Sequence, residues 1–201
     1  MPISFAVYQL RIAQEHDMIA SLYTDLSDPD AFCSGFIEQV NSRHVLLAAL
    51  TPWGFRDGWL LWRVADVRQV FTGDEYEARL EMLTKLRGET HTPLISEPPP
   101  PDADLLRWLL DWAREQAVTI SILTSDESYT GRVILADDLR VTMETFDFFG
   151  VKNHRATVLL MRDVESVMIG TEEEKMYDLL SASPVIGITA PHRLEDGKEP
   201  T

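Results

Sequence analysis

The chain repeats itself. Sliding the 201 residues past one another by just under half their length brings two similar units into alignment, and a duplicated chain is restricted to two similar supersecondary blocks side by side. Near the middle of each unit a glycine opens an alternating apolar run, Gly35-Phe36-Ile37-Glu38-Gln39-Val40 and Gly131-Arg132-Val133-Ile134-Leu135-Ala136. Polar turns follow, Asn41-Ser42-Arg43 and Asp137-Asp138-Leu139, and then the runs from His44 to Ala49 and from Arg140 to Thr145. Gly54 after Trp53 matches Gly150 after Phe149, as further turns. Leu60-Leu61-Trp62-Arg63 aligns with Leu159-Leu160-Met161-Arg162, and Gly73 with Gly170. Period-two alternation between glycine and Asp/Asn turns predicts short antiparallel strands.

Each unit is bracketed by helices. Thr72-Gly73-Asp74-Glu75 and Thr171-Glu172-Glu173-Glu174 both read as Thr-x-x-Glu capping boxes. Leu80 with Leu83, and Tyr177 with Leu180, then sit on one face of the helix that follows. The leading helix of the second unit is announced by Asp102 and Asp104 and by an apolar stripe through Leu105, Leu109 and Trp112; its weaker counterpart runs from Ile3 to about His16. First strands are expected at Ile19 to Thr24 and Ile120 to Thr124. The expected layout is a first module over 1–87, a Pro-rich linker over 88–101 that contains Pro98-Pro99-Pro100-Pro101, a second module over 102–183, and a tail over 184–201 without periodicity.

Charge narrows the function classes. Eighteen Lys and Arg stand against 33 Asp and Glu, a formal charge of −15, so the mean field repels phosphate backbones and anionic lipid. DNA and membrane partners are therefore not expected, and no apolar run is long enough to span a bilayer. The single cysteine, Cys33, cannot form an internal disulfide, and the first residues lack the basic and small-residue pattern of a signal peptide; together they point to the cytoplasm. Cys33 lies among apolar neighbours and reads as an inert thiol.

A helix followed by five short strands, with glycine in the second strand and an Asp-containing turn before the third, resembles the Sm-like (LSm) family. Leu159 to Gly170 is similar to that family's last two strands. The resemblance covers roughly 18–73 and 118–170 with the helices before them. It implies a fold that is mainly β with flanking helices (α+β): two tandem Sm-like five-stranded small barrels, each preceded by an α-helix. It also implies candidate RNA or ligand contacts at His44, Arg63, Asp138, Arg140 and Arg162. Asp138 matches the family's turn aspartate, Arg140 and His44 take its stacking position, and Arg63 and Arg162 match its closing arginine. The base-reading asparagine is replaced by Leu46 and Thr142, which read a base edge poorly or not at all.

Enzyme signatures are weak. The histidines at 16, 44, 91, 154 and 192 are scattered, and no metal-binding or nucleophile motif joins them. No catalytic residue, metal ligand or cofactor is expected. Asp28-Pro29-Asp30 and Ser125-Asp126-Glu127-Ser128 read as solvated acidic turns, and a hydrolase built on them is the most distant reading. Trp53, Trp59 and Trp62 read first as core. The expected function is a non-catalytic binding or scaffolding module whose partner is a protein or the chain itself; selective single-stranded RNA binding is the alternative. Strand edges sharpen this. Trp59-Leu60-Leu61-Trp62 of the first unit is expected to pair with Val164 to Ile169 of the second, or the reverse, leaving two edges for a homo-oligomer, a dimer in the first instance. Trp59, Leu61, Trp62 and Leu160 are the candidate interface residues.

Overall fold

A computed structural model describes residues 5–28, 31–89, 91–94, 98–100, 103–146 and 156–182. Expectations placed on Ile3, Pro29, Asp30, Pro101, Asp102, Phe148, Phe149, Gly150, His154 and 184–201 fall outside them. The first unit runs α1 (Phe5–Glu15), β1 (Ile19–Tyr23), β2 (Phe32–Val40), β3 (His44–Leu50), β4 (Arg56–Arg63), β5 (Gln69–Thr72) and α2 (Glu75–Leu86). The second runs α3 (Leu105–Gln116), β6 (Ile120–Leu123), β7 (Ser128–Ala136), β8 (Arg140–Thr145), β9 (Thr157–Leu160), β10 (Ser166–Ile169) and α4 (Glu172–Ala182). A 3-10 turn precedes each last strand, at Val64–Asp66 and Met161–Asp163.

The duplication extends to atomic detail. Asn41 Oδ1 accepts from the backbone N–H of Arg43 and His44, each at 2.8 Å, and Asp137 Oδ1 accepts from Leu139 and Arg140 at the same distances. A Cβ on Gly35 would lie 2.0 Å from the Ala48 carbonyl oxygen, and one on Gly131 2.1 Å from that of Glu144. Glycine is needed there because the bent second strand presses its backbone on the third. A β-bulge follows in each, between Ile37 and Gln39 and between Val133 and Leu135. Buried hydroxyls and a buried carboxylate also recur. Ser21 bonds Ser34 at 2.8 Å and donates to Glu77 of α2, as Ser121 bonds Thr130 at 2.9 Å and donates to Glu174 of α4. Each Ser gives its buried Glu a hydrogen-bond partner, without which burial of that polar group would be costly.

The resemblance to two separate five-stranded barrels is corrected by the sheet. All ten strands form one open antiparallel sheet, in the order β5-β1-β2-β3-β4-β10-β6-β7-β8-β9. Neither unit closes among the described residues, because β4 and β10 pair with each other, β4 not with β5 and β10 not with β9. The Sm-like reading is set aside, and the coarser α+β description stands. The cross-unit pairing expected from the strand edges is present, with Ser166 opposite Trp62, Val167 opposite Leu61, Met168 opposite Leu60 and Ile169 opposite Trp59.

The core crosses this seam. α1 buries Val7, Leu10 and Ala13 against Ala20, Leu22, Val45 and Leu47, while Leu80 of α2 packs with Ile19 and Leu50. Leu46 and Leu61, paired across β3 and β4, face the other way and join a cluster with Leu105, Leu109 and Leu110 of α3 and Val167 of β10. Every residue of β3 is therefore buried, covered on one face by its own unit and on the other by the second. Its equivalent β8 alternates, with one buried face.

Candidate functional site

The seam brings the β2–β3 turn of the first unit against the start of α3. Asn41 Nδ2 donates to the Ala103 carbonyl at 3.2 Å, and Arg43 Nη1 lies 3.3 Å from Asp104 Oδ2. Asp104 also caps α3, accepting from Leu106 N at 3.1 Å and Arg107 N at 3.3 Å. Between these elements lies a cavity of about 640 Å³, whose lining includes His44, Arg63, Arg107, Asp138 and Arg162. Four of the five sequence-derived ligand candidates thus meet at one cleft. Arg140 is not part of the lining; it begins β8, opposite Leu160 and 3.8 Å from Asp137.

The cleft's cations already have anionic neighbours. Arg63 Nε donates to Asp66 Oδ2 at 2.6 Å, its Nη2 is 3.5 Å from Glu165 Oε1, and its Nη1 donates to the Arg162 carbonyl at 3.3 Å. Arg162 lies 3.5 Å from Asp163, and Arg107 bridges Asp111 at 2.7 Å and Asp138 at 3.3 Å. An incoming phosphate would have to displace these carboxylates. His44 is 8 % exposed, its Nδ1 has no partner among the described residues, and burial lowers its pKa, with Arg43 and Arg63 adding to the shift against Asp104.

Cross-strand pairing corrects the alignment of the arginines. His44 is opposite Arg63 and its counterpart Arg140 is opposite Leu160, so Leu160 is the equivalent of Arg63. The 3-10 turns then make Ala65 the equivalent of Arg162. The closing-arginine match between the units was displaced by two residues. The first capping box is displaced likewise. Thr171 does form one, its N–H and hydroxyl donating to Glu174 at 2.8 and 2.6 Å. In the first unit the N-cap is Asp74, which makes no side-chain cap bond, and the counterpart of Glu174 is Glu77.

The proposed interface residues divide between two places. Trp59, Leu61 and Trp62 lie on β4 at the seam, and Trp59 Nε1 donates to Glu38 Oε1 at 2.7 Å. Leu160 lies on β9, the last strand of the sheet, whose outer edge pairs with no strand among the described residues. There Val158 is 55 % and Leu160 39 % exposed, with Ile134, Leu135 and Leu139 exposed nearby on β7 and the β7–β8 turn. Trp53, read as core, is instead exposed. Burial, aided by Asp57, pushes the Cys33 thiol up to about 12, so it holds little thiolate.

Sequence reasoning missed Glu38 and His91. Glu38 accepts from the Leu94 N–H at 3.0 Å, and Arg56 Nη2 donates to the Thr92 carbonyl at 3.1 Å, so this part of the linker is fastened to the first unit. His91 stacks on Phe36 with centroids 4.8 Å apart and bonds Asp17 at 2.9 Å. The available signal was Glu38, the one charged residue of β2, standing at its bulge. Among the described residues no group of three or more His, Cys, Asp and Glu is placed to hold a metal ion, and no helix is long and apolar enough to cross a membrane. No protein-family model, curated protein or solved structure matches the chain.

Proposed function

We propose that the chain is a non-catalytic binding and scaffolding module that docks a protein on the β7–β9 side of its second unit. One observation carries the reading. Leu61 on β4 is 2 % exposed because α3 and β10 cover it, whereas Val158, its counterpart on β9, is 55 % exposed beside a strand edge that pairs with no strand among the described residues. An apolar sheet face next to unpaired N–H and C=O groups accepts an added strand together with an apolar helix side. The alternative, single-stranded RNA bound in the cleft of His44, Arg63, Asp138 and Arg162, has less support, since the arginines are already matched by carboxylates and the net charge is −15.

The readings separate by salt and by residue. Retention of a bound protein at about 0.5 M salt, lost on Val158→Asp, is the expected result, because apolar and backbone contacts are little screened. Oligonucleotide binding tighter than about 10 µM at physiological salt, abolished by Arg63→Ala with Arg162→Ala and untouched by Val158→Asp, would replace the docking reading with the RNA one.

A further inference from the structure

Lining up the two units by their strand pairing exposes a place where they differ in kind. Tyr23 stands opposite Phe32 as Leu123 stands opposite Ser128, and Phe71 lies opposite Ser21 as Met168 lies opposite Ser121. The Ser21–Glu77 and Ser121–Glu174 bonds make Tyr76 the counterpart of Glu173. Tyr23, Phe32, Phe71 and Tyr76 thus take the places held by Leu123, Ser128, Met168 and Glu173 in the second unit, so the shared architecture does not require aromatic side chains there. The four rings form one continuous set. Tyr23 stacks on Phe32 with centroids 4.8 Å apart, and T-shaped contacts join Phe71 to Tyr23 at 5.5 Å and Tyr76 to Phe32 at 5.4 Å. Tyr76 is 36 % exposed and the other three are half-buried, at the end of the sheet formed by β5, β1 and β2.

The rim of this ridge is acidic. The β1–β2 loop that joins Tyr23 to Phe32 carries exposed Asp25 and Asp28, and exposed Asp74 stands two residues before Tyr76 at the start of α2. The adjoining arginines face carboxylates of their own: Arg68 lines a cavity with Asp66 and Glu165, and Arg79 donates to Glu75. We propose that the ridge docks a cationic, proline-rich segment of a partner protein in the polyproline II conformation, at the end of the sheet opposite β9. Such a segment turns about every three residues, so a row of prolines can lie on the rings while arginines or lysines on the neighbouring row reach the acidic rim and the ring faces. It is extended before it binds and loses little conformational freedom on docking. An acidic segment is repelled by Asp25, Asp28 and Asp74 and by the net charge of −15. The chain's own Pro98 and Pro99 are not the occupant, because they line a different cavity with Trp108 and His91.

A fluorescein-labelled peptide of about four Arg-Pro-Pro triplets, titrated with the full chain and followed by anisotropy, tests the ridge. Saturable binding below about 1 mM is expected at low salt, weakening as salt screens the rim. Tyr23→Leu with Phe32→Ser gives the ridge the residues with which the second unit folds, and should weaken binding by about tenfold or more. Circular dichroism checks that this variant is folded, and Tyr76→Ala, at the most exposed ring, repeats the test if it is not. The same peptide with glycine for proline should bind about tenfold more weakly, and one with glutamate for arginine should not bind. Equal binding of the glycine peptide would overturn the proposal, since charge alone would then account for it. So would binding of the glutamate peptide, binding unchanged by the ridge variants, or no binding up to about 1 mM. Peptide binding that the ridge variants spare and Val158→Asp abolishes removes the ridge and leaves docking at β9 standing.

Discussion

His44 and His91 lie on different elements, and their surroundings drive them in opposite directions. His91, whose Nε2 lies 3.5 Å from Glu38 Oε1 and whose Nδ1 is hydrogen-bonded with Asp17, has its pKa raised by these carboxylates despite partial burial. Its contribution to stability is complete below the ordinary histidine value of about 6.5 and is lost as pH rises through the raised folded value. His44, whose pKa burial lowers, contributes above about 6.5 and loses that contribution as pH falls toward its depressed folded value. Thermal unfolding followed from about pH 5 to 9 should show His91→Gln removing part of the alkaline loss and His44→Gln part of the acid loss. A variant that shifts the melting temperature equally at every pH would refute the assignment for that residue. Gly58 is the second residue-scale case. Its φ is +73°, and a Cβ there would lie 2.3 Å from the Ile169 carbonyl oxygen across the seam. Gly58→Ala is expected to cost about 1–3 kcal/mol in denaturant unfolding, through left-handed strain together with the clash.

At the scale of elements, the two trailing helices start differently although they occupy equivalent positions. α4 begins with Glu174 accepting from the Thr171 N–H and the Thr171 hydroxyl oxygen accepting from Glu173 N, and Glu174 also accepts from the buried Ser121 hydroxyl. α2 begins at Asp74 without a side-chain cap, and its buried Glu77 accepts from Ser21. Thr171→Ala should therefore cost about 1 kcal/mol, while Asp74→Ala should cost much less. Equal losses would mean that Asp74 caps α2 in solution. The strands show where the element signals were legible. Gly35 and Gly131, the Asx turns at Asn41 and Asp137, and the last glycines Gly73 and Gly170 stand at matching places in chain and fold. The register between Arg63 and Arg162 was not legible, because the numbers of residues between the third and fourth strands differ and two short apolar strands align almost equally well two residues apart.

For the molecule as a whole, the seam decides how independent the halves are. The second unit contributes β10 to the edge of β4 and α3 to the face of β3, and both lose their cover if the first unit is removed. A fragment from about Pro101 to Ser183 is expected to fold cooperatively but to melt well below the full chain, since several apolar side chains around Leu46 and Leu61 no longer pack on it. Calorimetry that finds the fragment as stable as the whole would mean that the seam contributes little. Among the described residues the sheet has two unlike ends, β5 with Phe5 and Tyr8 at one and β9 with Val158 and Leu160 at the other. The cleft beside the seam unites His44, Arg63, Asp138 and Arg162, yet it does so by packing the units together and not by matching their arginines.

By itself the sequence determined what is local. Alternation, turn residues and the repeat specify α1 through α4 and the ten strands between them, because period and turn chemistry act over a few residues. It also carried one long-range hint: the unbroken apolar run from Val45 to Leu50 requires cover on both faces of β3. Only the tertiary structure decided what supplies that cover. Strand edges pair through backbone groups common to every residue, so Trp59 to Trp62 has no side-chain code that selects β10 over β5. The choice fell to packing, where Leu105 and Leu109 close over Leu46 and Leu61, and the two units share one open sheet.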